Sequence, residues 1–286
     1  ASPCDPIPSQ SDQRIYYRTL VIDENLNPGP QVLALRVASG FYSPQRATVE
    51  HPYPVVRALL RVEFTDGEVF ILGSDDSWRT TEDHIELTRT YGKGQGWGNE
   101  IWWMDKAVDG WLGADYSPDA WDRAAIVEPP SGVLTGQPPV GHRIRETLQP
   151  ESVKRLAENR ILLDFGLTIT GRVRCRFTMR NARNIQIRLR HFDAWPRPND
   201  YDQTDYWFAK SVGPKNAGIS VEWTPVFHLR CFRYVEVEYD GIEDVDETPQ
   251  FAAEAIGNLP VRSATFRCSE PLLNSLHEAG VRTLEA

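Results

Sequence analysis

Long apolar runs, an excess of positive charge and close cysteine pairs are all missing from this chain, and methionine occurs only twice. A helix needs about twenty consecutive apolar residues to cross a bilayer, so no membrane partner is expected. The 31 Lys plus Arg stand against 40 Asp plus Glu, a formal net charge of -9. A general nucleic-acid binder needs a basic face to displace counterions from phosphates, so that partner class is not expected either. There is no P-loop, dinucleotide fingerprint or Ser-His-Asp signature, and the six histidines stand isolated rather than at metal-ligand spacing. Cys4, Cys175, Cys231 and Cys268 lie too far apart for a zinc cluster or a redox C-x-x-C pair. One disulfide is open to them, while three are expected as buried free thiols. No Asn-x-Ser/Thr sequon occurs. The chain opens at Ala1 without a charged-then-apolar leader, which reads as a processed mature protein or a fragment, with a secreted or secretory-pathway location favoured.

What is abundant is aromatic and stiff: nine Trp, ten Tyr and twenty-one Pro. That composition suits short strands joined by rigid loops, with most rings in a core, and it also suits surfaces that take sugars or other flat ligands. At 286 residues the chain is long enough for two domains, each with its own core.

Period-two alternation dominates. Gln31-Val-Leu-Ala-Leu-Arg-Val37 and Ala58-Leu-Leu-Arg-Val-Glu-Phe64 read as strands, and Thr65-Asp-Gly-Glu68 supplies a hairpin turn before Val69-Phe-Ile-Leu72. Arg172-Val-Arg-Cys-Arg-Phe177 places Val173, Cys175 and Phe177 on one face and three arginines on the other. Those arginines are either an acid-binding face or a solvated face paired across strands with Glu236 and Glu238. Ile185-Gln-Ile-Arg-Leu189 and Tyr234-Val-Glu-Val-Glu-Tyr239 alternate in the same way. Helix signal is concentrated in Ser269-Glu-Pro-Leu-Leu-Asn-Ser-Leu-His-Glu-Ala279, with Ser269 as N-cap. The expected fold is therefore all-β: two antiparallel, jelly-roll-like β-sandwich domains with a short C-terminal helix. The boundaries are 1–128 for the first sandwich, 129–141 for a Pro/Gly linker, 142–262 for the second sandwich and 263–286 for a final strand and helix.

Two stretches carry candidate ligand chemistry. Tyr91-Gly-Lys-Gly-Gln-Gly-Trp-Gly-Asn-Glu-Ile-Trp-Trp-Met-Asp105 combines four glycines with Tyr91, Trp97, Glu100, Trp102, Trp103 and Asp105. Glycines let backbone approach a ligand, and indoles offer flat faces. The plainer reading is a glycine-rich turn feeding a strand with alternate buried Trp. The second stretch, His191 to Phe208, brings His191, Asp193, Trp195, Tyr206 and Trp207 into one long loop. His191 with Asp193 has the composition of an acid/base pair. Asp200, Asp202 and Asp205 are spaced as a hard cation could use them, but the glycine and distal Glu of an EF-hand are lacking, and no cofactor is expected beyond that calcium alternative.

Several segments together resemble the α-L-rhamnosidase family. Arg14-Ile-Tyr-Tyr-Arg, Val32-Leu-Ala-Leu-Arg-Val, Asp75-Asp-Ser-Trp78 and Ala120-Trp-Asp are similar to its sugar-binding jelly-roll module. Leu163-Asp-Phe-Gly166 is similar to its Asp-Phe-Gly-Gln-Asn segment, with Leu167-Thr168 standing where Gln-Asn is expected. Cys231-Phe-Arg-Tyr-Val-Glu-Val is similar to a Gly-Phe-Arg-Tyr-Val-Glu-Val strand, and Phe266-Arg-Cys-Ser-Glu-Pro-Leu-Leu-Asn274 to the lead into the catalytic domain. The resemblance implies an accessory, rhamnose-binding region without the helical barrel that carries the family's acid and base. Hydrolysis by this chain alone is not expected, because glycoside cleavage needs two carboxylates flanking one bond. The alternative is a repurposed enzyme that uses an aromatic pocket to cyclise an apolar small molecule, as a pericyclase would. A deep apolar cleft would favour that enzyme, and a shallow aromatic surface would favour sugar binding. The ligand in either case is a small molecule or sugar, and the open strand edges fit a monomer or a homodimer.

Overall fold

The protein is described from a computed structural model, which places residues 9, 12–22, 28–38, 54–88, 98–138, 141–180, 182–196, 203–211, 219–242, 244–245, 250–257 and 265–285. In chain order the strands are β1 (Arg14–Tyr17), β2 (Leu59–Glu63), β3 (Val69–Gly73), β4 (Arg79–Thr80), β5 (Ile85–Leu87), β6 (Glu100–Trp103), β7 (Asp122–Arg123), β8 (Val133–Gly136) and β9 (Arg143–Leu148). They continue as β10 (Ser152–Ala157), β11 (Arg160–Arg180), β12 (Arg183–Phe192), β13 (Thr204–Ser211), β14 (Ile219–Trp223), β15 (Arg230–Asp240), β16 (Asp244–Val245) and β17 (Gln250–Gly257). One helix, α1 (Pro271–Glu285), follows. The all-β class with a C-terminal helix is what the residues dictate.

The chain forms two compact units. One comprises residues 8–83 and 107–136, the other residues 1–7, 84–106 and 137–286. The sequential division at 128–142 is thus crossed by β5 and β6, which come from the first stretch and pair into the sheet of the second. In the smaller unit the described strands form three two-stranded ladders: β2 with β3, β4 with β7, and β1 with β8 in parallel. The stretch expected as a linker contains β8, so part of it is a strand. The Thr65–Glu68 turn forms as expected, with Glu68 N–H donating to Asp66 Oδ1 at 3.0 Å and Gly67 at φ 92°.

The larger unit is a single folded-over sheet. Its path runs β5-β6-β13-β12-β15-β11-β17-β9, with β10, β14 and β16 also paired to β11. Strand β11 makes the fold-over possible. Its first part pairs with β10 and β15, and its second with β17 and β14. The register slips between Asp164 and Ile169, where Gly166 takes φ 77°. Gly171 follows, where a Cβ would stand 2.0 Å from the Glu254 carbonyl oxygen. A strand that changes layers at a bulge is how sandwich corners are built. The inward residues of both parts meet in one core: Leu163 and Phe165 with Val173, Cys175, Phe177 and Met179, closed by Ile185, Ile187, Leu189, Trp207, Val235 and Val237. The ring of Phe177 meets that of Tyr239 on β15 (centroids 6.3 Å apart), a contact between the two layers.

The alternation read for Val173, Cys175, Phe177 and for Ile185, Ile187, Leu189 is the buried face found here. The partners of the arginine stripe are different from those expected. Arg172 pairs with Glu254 at 2.7 Å and Arg176 with Glu222 at 2.6 Å, whereas Glu236 and Glu238 pair with Arg190 and Arg188. The reason is the layer change in β11: the stripe lies in the second part, beyond the reach of β15. Among the described cysteines only Cys175 is buried; Cys231 is exposed and Cys268 half-buried, so the expectation of three buried thiols fails. Helix α1 runs on to Glu285, and its first turn is capped by Glu270 rather than Ser269, with Leu272 N–H donating to Glu270 Oε1 at 3.2 Å.

Candidate functional site

The two aromatic stretches of the sequence meet edge to edge. Strand β6 runs parallel to β13, pairing Glu100 with Asp205 and Trp103 with Phe208. Side chains alternate along both strands, so each contributes one row to the core and one to the outside. Glu100 and Trp102 point inward beside Asp205 and Trp207, and Trp103 points outward beside Phe208 and Tyr206.

The inward row is a buried charged network. Glu100 and Asp205 are both 0% exposed, and Arg230, 2% exposed, lies against Asp205. The Arg230 guanidinium donates to both Asp205 oxygens and, at 3.0 Å, to the Gly98 carbonyl. Asp205 also accepts the Glu100 N–H at 3.1 Å. Glu100 accepts from Trp102 Nε1 at 2.6 Å and from the Val226 and Phe227 N–H groups, each at 2.8 Å. Three donors and no acceptor make this a site for an ionised carboxylate. Burial pushes the Glu100 carboxyl upward all the same, and the Asp205 charge adds to that. For Asp205 burial alone would raise the carboxyl, but the Arg230 charge, with the hydrogen bond from its guanidinium, holds it below its ordinary value. His191 is 1% exposed, and burial lowers it to about 4. Its neutral ring donates Nδ1–H to the Gln203 carbonyl at 2.9 Å, which leaves a buried Nε2 without a partner among the described residues. His228 is likewise lowered to about 4, by burial first and the Arg230 charge second. The hydrogen bonds of Glu100, Asp205 and Arg230 tie β6 and the 226–228 turn to β13 and β15.

The outward row is different. Trp103 stacks on Phe208 (4.7 Å, 15° between planes), and Phe208 on Tyr206 (5.8 Å, 7°). Lys106 Nζ lies 5.5 Å from the Trp103 ring centre. Beside the rings, Arg188 pairs with Glu238 and Arg190 with Glu236. At the far end Trp195 packs on Phe192 (5.6 Å), and Arg190 lies 5.3 Å above the Phe192 ring. Aromatic rings and planar charged pairs therefore alternate across β6, β13, β12 and β15 on one face.

Two sequence profiles cover this chain: the α-L-rhamnosidase N-terminal domain at residues 3–146, and the bacterial α-L-rhamnosidase concanavalin-like domain at residues 154–256. The chain belongs to the α-L-rhamnosidase family. An α-L-rhamnosidase of Formosa agariphila is 22% identical over 98% of this chain, and one of Streptomyces avermitilis 26% identical over 93%. The chain spans only 30% and 25% of their lengths. Among solved structures, the α-L-rhamnosidase of Dictyoglumus thermophilum superposes with a TM-score of 0.77 at 23% identity, over 96% of this chain and 30% of the other. The Streptomyces avermitilis enzyme complexed with L-rhamnose gives 0.71 at 22% identity, over 96% of this chain and 26% of the other.

The rhamnosidase-like motifs are joined in space by structural contacts. Asp164 of the Asp-Phe-Gly segment accepts from Arg233 Nε at 2.8 Å and from a second guanidinium nitrogen at 3.0 Å, and from the Gly166 N–H at 2.8 Å. Phe165 packs edge-on against Phe232 (5.8 Å). The Arg233 hydrogen bonds hold the Asp164 carboxyl below its usual range.

Of the residues expected to contact ligand, Tyr91 and Trp97 lie outside the described residues. Glu100, His191 and Trp207 are buried in the core or its network, and Trp102 is half-buried with its Nε1 committed to Glu100. Burial keeps His191 from acting with exposed Asp193 as an acid/base pair. Asp105 is exposed and accepts the Lys210 N–H at 2.9 Å. Trp103, Asp193, Trp195 and Tyr206 reach solvent. Asp200 and Asp202 lie outside the described residues, and Asp205 is held by Arg230; among the described residues no group of three or more His, Cys, Asp or Glu is arranged for a metal. Sequence reasoning missed Arg230. Its signal was parity with Phe232, two residues on, which places a charged side chain on a core face.

Proposed function

We propose that this chain is the non-hydrolytic, saccharide-binding accessory region of an α-L-rhamnosidase, and that its outward β6–β13–β12–β15 face holds the sugar. The observation that carries the reading is that face itself: half-exposed Trp195 on Phe192 at one end, the Trp103–Phe208–Tyr206 row at the other, and arginine–carboxylate pairs between. Sugars present an apolar C–H face and a polar rim, which such a surface matches with ring area and bidentate hydrogen bonds. The stacked row spends its ring faces on one another, so Trp195 offers the more open plane. The carboxylates on this face support binding rather than cleavage. Glu236, Glu238 and Asp164 are each engaged by an arginine, whereas cleavage needs two carboxylates placed on either side of one glycosidic bond. No observation among the described residues favours the cyclising-enzyme reading.

L-rhamnose, the sugar held by one solved relative, is the first probe. Tryptophan fluorescence of the chain is titrated with L-rhamnose, with and without calcium, in parallel with the Trp195→Ala and Trp103→Ala variants. Saturable quenching that Trp195→Ala weakens about tenfold is expected, the factor carried by losing roughly 1.4 kcal/mol of ring contact. Absence of saturation by rhamnose, or titrations identical in all three proteins, would overturn the reading.

A further inference from the structure

The opposite layer of the same sandwich carries a second feature. Arg172, Arg174 and Arg176 project from the outer side of β11, where β17 is the neighbour. The register gives Arg172 a carboxylate, Glu254, directly across. Arg176 faces Gln250 on β17 and finds its carboxylate on the other neighbour, at Glu222. Arg174 faces Ala252, the one methyl-sized residue in that row. It forms no ion pair or side-chain hydrogen bond among the described residues, and it senses Glu222 only through longer-range charge. The short Ala252 side chain leaves a depression of about 100 Å³, bounded by Arg174, Arg176, Glu222, Gln149 and Gln250. Two guanidinium groups against one carboxylate give it a net positive lining, and the two glutamine amides add neutral donors at its rim.

We propose that this depression is an anion subsite, with Arg174 as its anchor and the carboxylate of an acidic saccharide, a uronate, as its ligand. The size decides the class. Whole small molecules occupy pockets of roughly 300–1,000 Å³, so this volume takes one functional group and leaves the rest of the sugar on the surface. The chemistry decides the group. A guanidinium presents two parallel N–H donors in a plane, which fit the two coplanar oxygens of a carboxylate, and the primary amides extend the same hydrogen-bonding plane. The subsite lies on the other layer from Trp195; the choice of a saccharide to carry the carboxylate rests on the accessory-region reading above, while the anion chemistry rests on the depression alone.

Nε–H resonances of the arginines are followed by NMR while the intact 286-residue chain is titrated with D-glucuronate, its neutral methyl ester, L-rhamnose and inorganic sulfate. The Arg174 resonance is expected to shift saturably with glucuronate and to stay unmoved by the ester and by rhamnose. Arg174→Gln is expected to weaken glucuronate binding about tenfold or more, the factor carried by a lost charge-assisted hydrogen bond, and Arg174→Lys to fall between. Trp195→Ala leaves the glucuronate response unchanged, which separates failure here from failure of the rhamnose site. No saturable shift with glucuronate, an equal response to the ester, or glucuronate binding unaltered in Arg174→Gln each overturns the proposal. Saturation by sulfate at lower concentration than by glucuronate overturns the carboxylate assignment.

Discussion

Removal of Arg230 tests the reading of the buried network as the bolt that fixes β6 to the sandwich. In Arg230→Ala, Asp205 loses both guanidinium hydrogen bonds and keeps the Glu100 N–H, with the Glu100 carboxylate beside it and two neutral imidazoles nearby. An uncompensated charge at a site with 0% exposure is the costly case. Breaking a buried pair from one side costs about 3–5 kcal/mol, whereas replacing both partners with apolar groups of similar size is often neutral. For a body of this size 1 kcal/mol corresponds to roughly 2–4 °C, so the transition of the larger unit is expected to fall by roughly 6–20 °C. The two compact units need not melt together, so hydrogen exchange resolved to the β6 and 226–228 peptides is the decisive assay beside circular dichroism. Protection of the Glu100, Val226 and Phe227 amides is expected to drop in step with the melting shift. The double variant Arg230→Met/Asp205→Leu is expected to lose less than Arg230→Ala alone. A single-variant cost below about 1 kcal/mol, or a double-variant cost equal to the sum of its singles, would refute the bolt.

The same network sets a pH dependence. His191 and His228 have folded values of about 4 against an ordinary 6.5, so between those limits the unfolded chain binds protons that the folded one refuses. Stability is expected to fall as pH drops through 6.5 toward 4, by about 2 kcal/mol per histidine at pH 5, and His191→Gln is expected to flatten the slope measured by urea unfolding. Glu100 works in the opposite sense: its raised value costs stability at neutral pH, a cost relieved on acidification, so Glu100→Gln is expected to steepen the acid loss. Gly171→Ala places a Cβ 2.0 Å from a backbone oxygen of β17, and about 1–3 kcal/mol of destabilisation with early exchange of β17 amides is expected. Asp164→Ala releases the half-exposed Arg233 and the Gly166 N–H together, for which about 1–2 kcal/mol is expected in the same unfolding measurement.

The strands of the larger unit were legible because one of their faces is dry. Val173, Cys175 and Phe177, or Ile185, Ile187 and Leu189, cannot alternate as they do without a core on one side. What alternation does not encode is which strand lies alongside. The arginines of β11 were assigned to Glu236 and Glu238 because those acids share their period; a bulge of three extra residues between Asp164 and Ile169, and the change of partner from β15 to β17 at Gly171, carry the strand to another layer. Residues 84–106 joined the second sandwich for a related reason: their attachment rests on Glu100, Asp205 and Arg230, three charged residues far apart in sequence, and pattern reasoning places charges on the outside by default. Of the ligand candidates, Trp102 and Trp103 differ only in parity, and the parallel register of β6 on β13, which sets Trp102 beside Trp207 and Trp103 beside Phe208, accompanies the inward turn of the first and the outward turn of the second.

The resemblance to rhamnosidases and the question of activity rest on different residues. Asp164, Phe165 and Gly166 meet Phe232 and Arg233 at the bulge where β11 leaves one layer for the other, so these two motifs mark the corner of the sandwich. A chain can keep them, and the superposition that follows from them, whatever the rest of its surface does, because their contacts are satisfied within the fold. Leu167 and Thr168, which depart from the family pattern, and exposed Cys231, which stands where glycine is expected, flank the same corner. The slip in register absorbs such changes, since Ile169–Gly171 resume pairing with Phe232–Arg230 beyond it. Chemistry has to be sought on surfaces the corner does not use: the Trp195 face of one layer and the Arg174 depression of the other, which different ligands and different single substitutions can test separately.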